Sequence, residues 1–212
     1  MHLPFLFYNL FIIPLLYSLF KILAFFNKKI KRGIIGREKL FSRLASQLDK
    51  CKNRQGTILV HAASMGEFEQ ARPVLRALRQ QFPGYTICAS VFSPSAFDNI
   101  QNNKEADIIT YLPFDTLSAS RKFLNLIKPR ALLFTRYDLW PNLVWEAKRQ
   151  NIFTMLFDAS VQKASLRHKP LVRQFSRSVF LDLNAICAIS QEAVTQMQAL
   201  LPREAKIIVP GV

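Results

Sequence analysis

The residues best placed to do chemistry are those of the run His61-Ala-Ala-Ser-Met-Gly-Glu67, which lies between an apolar run, Thr57-Ile-Leu-Val60, and a helix-like run from Phe68 to Arg79. Its small residues let the backbone bend sharply and let a substrate come close, and Gly66 is free to take φ > 0. A turn that leaves a strand and ends in a carboxylate at a helix start sets Glu67 at the carboxyl edge of a sheet. Open α/β sheets bind ligands at that edge. Glu67 then has two readings: a carboxylate over the mouth of a cleft, or an acidic residue that only complements the positive end of the following helix.

The elements that must position this turn are legible as an alternation. Strands are predicted at Thr57–His61, Tyr85–Val91, Asp107–Tyr111, Ala131–Thr135, Ile152–Phe157, Ala185–Ile189 and Lys206–Val209. Helices are predicted between them, near Glu67–Gln81, Pro94–Gln101, Thr116–Ile127, Pro141–Gln150, Lys169–Leu181 and Gln191–Leu200. Such alternation builds right-handed βαβ units, hence an α/β fold with a Rossmann-like parallel sheet and helices on both faces. Pro83-Gly84 separates a helix from a strand, while Ser93-Pro94 and Trp140-Pro141 put proline in a helix's first turn. Asp115 reads as the cap of the helix that follows it. Arg72 and Arg76, one turn apart on the first of these helices, read as a solvated face. Trp140, at a strand-to-helix turn, either stacks on a sugar or packs in the core beside Leu139 and Trp145. Arg167, His168 and Lys169 form an anion contact or a plain loop.

The chain begins differently. An uncharged apolar run of 18 residues, Leu3 to Phe20, precedes Lys21 and Ile22-Leu-Ala-Phe-Phe26. From Lys21 to Arg54, eleven Lys/Arg residues face only Glu38 and Asp49, a local charge of +9 out of +15 for the whole chain. The run is near the lower length limit for crossing a bilayer. It reads as an anchor over residues 1–36 that either spans or lies in the interface, with Tyr8, Tyr17 and the phenylalanines suited to the interface. Lys28-Lys-Ile-Lys-Arg32 keeps the body of the protein, residues 37–212, on the cytoplasmic side. Residues 37–50 read as a basic amphipathic helix joining the two. Anionic lipid headgroups account for both the charge and the apolar start, so a membrane surface is preferred to nucleic acid, for which no recognition motif accompanies the charge. Cys51, Cys88 and Cys187 lack a Cys-x-x-Cys pair and read as reduced, and His2, His61 and His168 have no metal-ligand spacing. No metal or cofactor site is expected.

The turn His61–Glu67 resembles the signature turn of the Kdo transferases, which add 3-deoxy-D-manno-octulosonic acid (Kdo) to the lipid A precursor. Ser93-Pro94, Tyr111-Leu-Pro-Phe-Asp115, Lys128-Pro-Arg130 and Leu139-Trp-Pro-Asn142 follow in the order and approximate spacing of that family's amino-terminal domain. The resemblance covers roughly residues 57 to 160 and is more specific than any one motif. It implies the N-terminal, acceptor-binding lobe of a GT-B glycosyltransferase, preceded by a membrane-anchor helix, with Glu67 as general base. Ser64, Gly66, Arg136, Asp138, Trp140 and Asn142 would then bind the acceptor or support the site. Arg136-Tyr137-Asp138 stands where the family usually reads Glu-Thr-Glu, a charge reversal at the first position. An arginine there can bind the sugar's carboxylate or a lipid phosphate with forked hydrogen bonds, or pair with Asp138 or Glu67. Ser160-Val-Gln-Lys-Ala-Ser165 keeps only the last serine of a further family motif.

The resemblance implies that CMP-Kdo is the donor substrate, bound mainly by a C-terminal donor lobe absent from these residues, so that the chain is expected not to turn over alone. It also implies inverting transfer to a lipid A precursor in lipopolysaccharide synthesis, on the cytoplasmic face of a bacterial inner membrane. The alternative is a membrane-attached module that binds a glycolipid or a partner without catalysis, which the reversal at Arg136 favours.

Overall fold

The computed structural model describes residues 3–51, 54–136, 138–159, 170–201 and 205–208. Tyr137, residues 160–169, which include Ser160–Ser165, Arg167, His168 and Lys169, and residues 209–212 lie outside them, as does His2.

Among the described residues, seven parallel strands form one sheet: β1 (Thr57–His61), β2 (Thr86–Val91), β3 (Ile108–Tyr111), β4 (Pro129–Thr135), β5 (Phe153–Ala159), β6 (Ala185–Ala188) and β7 (Ile207–Ile208), in the order β3-β2-β1-β4-β5-β6-β7. Strands β1 and β2 are buried along their whole length, as expected where helices cover both faces of a parallel sheet. Alternate residues point to the two faces. On one, Ile58 and Val60 of β1 pack with Phe68, Ala71 and Leu75 of α5 (Met65–Gln81) and with Ala96 and Ile100 of α6 (Pro94–Ile100). On the other, Leu59 of β1 joins Phe123 and Leu124 of α7 (Leu117–Ile127) and Leu143 and Val144 of α8 (Pro141–Arg149). Helices α9 (Pro170–Phe180) and α10 (Gln191–Leu200) complete that layer.

The N-terminal segment is helical from Leu3 to Phe26, as α1 (Leu3–Phe7), a π turn (Tyr8–Ile12) and α2 (Ile13–Phe26). The basic stretch that follows is two helices, α3 (Lys28–Glu38) and α4 (Leu40–Asp49), broken at Lys39, rather than the single helix expected over 37–50. Helix α3 also runs through the expected boundary at residue 36. It docks on the lobe because Gly36 comes so close to Tyr111 that a Cβ there would lie 2.7 Å from the ring. Arg37 fixes the contact, its guanidinium donating to the carbonyls of Gly33, Phe92 and Leu112 at 2.7 Å each and lying over the Phe92, Tyr111 and Phe114 rings.

Asp115 does not cap α7. Thr116 does, accepting the Ala119 N–H at 3.2 Å, while the Asp115 carboxylate reaches across to α8 and accepts the N–H groups of Asn142 and Leu143 at 3.0 and 3.1 Å. It also accepts the hydroxyls of Tyr8 (2.9 Å) and Ser120 (3.0 Å), so one buried carboxylate holds a helix start and the N-terminal segment together. Burial pushes its pKa from 3.8 up to about 7, against the pull of those donors.

Asp115→Ala leaves two helix N–H groups and two hydroxyls without their acceptor, and is expected to cost roughly 3 kcal/mol in chemical unfolding. Because the folded pKa of Asp115 lies above its unfolded value, folding takes up a proton. Its contribution is therefore full below pH 3.8 and is lost as pH rises through about 7. Asp115→Asn, which keeps a capping oxygen, should remove that part of the slope, as measured by unfolding curves of the two proteins between these pH values.

Candidate active site

Strands β1 and β4 are neighbours at the point where the strand order reverses, with β2 and β3 on one side and β5 to β7 on the other. In an open parallel sheet the crevice outside the carboxyl ends at such a point is where ligands bind. Three charged residues leave the sheet here: Glu67 from the turn after β1, Arg136 immediately after β4, and Asp158 near the end of β5.

The turn after β1 is a helix cap. Ser64 is extended and its Oγ accepts the Glu67 N–H at 3.4 Å, while the Glu67 carboxylate turns back to accept the Ala63 N–H at 2.7 Å. One of the donors that a helix start leaves unpaired and the N–H of the residue before the cap are thus satisfied reciprocally, a close relative of the capping box that the spacing Ser64-Met-Gly-Glu67 spells. Gly66 lies inside the first turn of α5, where the positive φ open to it is not used. What it contributes is room, since a Cβ there would meet nothing within 4 Å.

Glu67 does the capping at the carboxyl edge of the sheet and is buried, at 9% exposure. Burial raises its pKa above the ordinary carboxylate value. The Ala63 and Ser64 N–H groups and the positive charge of Arg136 pull it back without reversing the rise. A helix start by itself lowers the basicity of a carboxylate; here desolvation outweighs that effect. Asp158 has the same balance, raised by burial and lowered by Arg136. Arg136 thus acts on two carboxylates at once. It does so from a left-handed backbone conformation, φ 65°, its N–H donating to Phe157 O at 2.8 Å, and Asp158 is left-handed as well at φ 54°. For a non-glycine residue that conformation costs about 1–2 kcal/mol, and such strain gathers at functional edges.

The remaining expected residues divide. Asp138 lies on the loop after Arg136, half-buried. Trp140 packs its ring 4.6 Å from Phe92 and 6.0 Å, edge to face, from His61. Asn142 is fully buried, exchanging hydrogen bonds with the Asn9 amide and donating to Asp115 O at 2.6 Å. Arg72 and Arg76 are paired, Arg72 with Glu69 and Glu105 and Arg76 with Glu105, rather than simply solvated.

Sequence reasoning assigned no role to Asp158 or to His61. The signal for Asp158 was a charged residue closing the apolar run Ile152–Phe157. His61 is buried, and its pKa is pushed down to about 3 by burial, so the ring is neutral. Its Nδ1 lies 3.1 Å from the Ser90 carbonyl and 3.0 Å from the Ser90 hydroxyl; in the tautomer that donates from Nδ1 to the carbonyl, Nε2 is left as an acceptor. That Nε2 and the indole N–H of Trp140 are both buried without a hydrogen-bond partner among the described residues. Also among the described residues, no group of three or more His, Cys, Asp and Glu is arranged to hold a metal ion.

Residues 38–212 match the family model described as 3-deoxy-D-manno-octulosonic-acid transferase (Kdo transferase). Similar curated proteins include the 3-deoxy-D-manno-octulosonic acid transferase of Haemophilus influenzae, 27% identical over 139 residues, which make up 65% of this chain and 32% of that protein. The transferase of the same description from Aquifex aeolicus is 30% identical over 128 residues, 60% of this chain and 34% of that protein. The chain spans about a third of the length of these relatives. A crystal structure assigned as a UDP-N-acetylglucosamine 2-epimerase from Listeria monocytogenes shares the fold, with a TM-score of 0.51 at 12% identity over 71% of this chain and 43% of that one.

Arg136→Gln removes the charge that lowers both carboxylates and should raise the pKa of Glu67 and of Asp158 together. Carboxyl carbon shifts followed by NMR through a pH titration measure both. A rise at neither would show that Arg136 is not electrostatically coupled to them.

Proposed function

The chain belongs to the Kdo transferase family, and from that premise we propose that it forms the acceptor-binding side of an inverting transfer of Kdo from CMP-Kdo to a lipid A precursor. The observation that carries this reading is Glu67: a carboxylate raised by burial, held by the Ala63 N–H at the β1/β4 crevice, in the turn that carries the family resemblance. Attack by an acceptor hydroxyl on the anomeric carbon of Kdo forms the new C–O bond as the bond to CMP breaks. The hydroxyl proton must go to a base, and a carboxylate whose pKa is raised toward neutrality is a better one than a solvent-exposed glutamate.

In this proposal Glu67 takes that proton and Arg136 binds an anionic group, a phosphate of the acceptor or the carboxylate of the sugar, in forked geometry. Ser64 holds the turn, and the open space beside Gly66 lets the acceptor lie close to it. Asp138 stands in for the carboxylate usual at its position. CMP-Kdo would be held mainly by a C-terminal donor-binding lobe. The site would work at the cytoplasmic face of the bacterial inner membrane, where the apolar N-terminal helix and the basic stretch behind it meet the lipid.

The second reading, a non-catalytic membrane-attached module that binds a glycolipid or a partner, is favoured by Arg136 alone. The two part on Glu67→Gln in a protein carrying both this lobe and the donor-binding lobe. The amide keeps an oxygen for the Ala63 N–H, so the fold and acceptor binding should survive while the transfer rate falls roughly 10²–10⁴-fold. Unchanged transfer would return Glu67 to its capping role. A wild-type protein that binds acceptor and transfers nothing would be the binding module.

A further inference from the structure

The N-terminal helix is apolar enough over Leu3–Phe26 to cross a bilayer, yet it is fastened along its length to the carboxyl edge of the sheet. Tyr8 donates to Asp115, and Asn9 and Asn142 exchange hydrogen bonds at 2.8 and 2.9 Å. Phe5 lies 5.2 Å from Trp145, Tyr17 is 5.6 Å from Phe114, and Phe20 packs on both Phe92 and Phe114. These contacts follow one face of the helix. The opposite face is exposed and almost wholly apolar, through Phe7, Leu10, Phe11, Leu15, Leu19 and Ile22. Beyond its end come Lys28, Lys29, Lys31 and Arg32.

A helix that crossed the hydrocarbon would carry its docked partners with it. Asp115, in the loop before α7, and Asn142, in the first turn of α8, are a buried carboxylate and amide that cannot follow the helix into lipid without leaving α8 uncapped. Nor can the helix leave them cheaply, since Tyr8, Asn9 and Asn142 would lose buried hydrogen bonds. We infer that the helix lies in the plane of the membrane as a monotopic anchor, still docked on the lobe, with its outer face sunk in the interface of an anionic phospholipid bilayer. The basic residues after it meet the negative headgroups. This arrangement rests on the membrane reading proposed above and adds to it the orientation: the β1/β4 crevice is held beside the headgroup layer, where a phosphorylated glycolipid can be reached without leaving the bilayer.

The two geometries place labels at different depths. Along a spanning helix, Phe7 and Phe25 are roughly 27 Å apart at 1.5 Å per residue, which puts them near opposite interfaces with Leu15 at the centre. In the plane, all three lie within about 5–10 Å of the headgroup boundary. The test uses the full chain with Cys51 and Cys187 replaced by serine and a fluorescent thiol label at Phe7→Cys, Leu15→Cys or Phe25→Cys. It is added to sealed phosphatidylethanolamine vesicles containing phosphatidylglycerol, with flotation reporting binding and brominated lipids reporting depth. Flotation with three equally shallow labels, and a label at Leu3→Cys that dithionite added outside can bleach, is the expected result. Leu15→Glu with Leu19→Glu should weaken flotation roughly a hundredfold. Flotation with Leu15 far deeper than the other two, or with the Leu3 label protected, would overturn the in-plane orientation and leave the membrane reading standing. No flotation, or a lipid-free dimer that shields all three labels, would overturn both.

Discussion

Asp115 is buried with its carboxylate pinned between the first turn of α8 and the N-terminal helix, and the carboxyl edge of the sheet is organised around that fact. A parallel sheet delivers every strand end to one side, where each helix start exposes N–H groups that need acceptors. At α8 the acceptor comes from a different loop, and the same carboxylate then has lone pairs left for Tyr8 and Ser120. The N-terminal helix is therefore joined to the machinery that shapes the edge, and Phe20, Phe92, Phe114 and Trp140 extend the joint as a run of aromatic contacts. At α5 the same need is met locally by Ser64 and Glu67. The carboxylate that caps there is desolvated by the lobe it caps, which explains how an acidic residue at a helix start can still have a raised pKa.

Much of this was legible. The strands were set by short apolar runs separated by Gly, Pro and Asn, and β1, β2, β4 and β5 begin and end within two residues of where those runs predict, because buried parallel strands leave little choice of composition. The turn after β1 was legible as a helix start carrying a carboxylate. Asp115 was legible as a cap, but not the helix it caps, because its partner amides lie 27 and 28 residues on and only the fold brings them near. Asn142, expected to bind the acceptor or to support the site, belongs to that same internal lattice. Gly66 was read through its backbone freedom and matters through the space it leaves. Lys39 ends α3 without any proline or glycine to announce it, so the basic stretch read as one helix.

Arg136 is the point where sequence and structure bear on each other most closely. As a bare substitution it reverses a charge. In the fold its charge acts on two carboxylates that burial has made reluctant to ionise, and it favours the ionised form of both. A positive charge there is therefore compatible with a working carboxylate at Glu67, because it offsets part of the desolvation that buried it. The left-handed backbone at Arg136 and Asp158 marks a strained pair of strand ends, held by the Arg136 N–H to Phe157 O bond.

The central claim is that the β1/β4 crevice, with Glu67 at its rim, receives a phosphorylated glycolipid. The most direct measurement is a titration of the isotope-labelled chain in detergent micelles with a bisphosphorylated, diacylated glucosamine disaccharide, followed by backbone amide NMR. The account predicts that shifts concentrate in residues 62–67, at Arg136 and at Asp158, and that a disaccharide stripped of its phosphates produces much smaller ones. Shifts confined to the far ends of the strands, or equal responses with and without the phosphates, would contradict it.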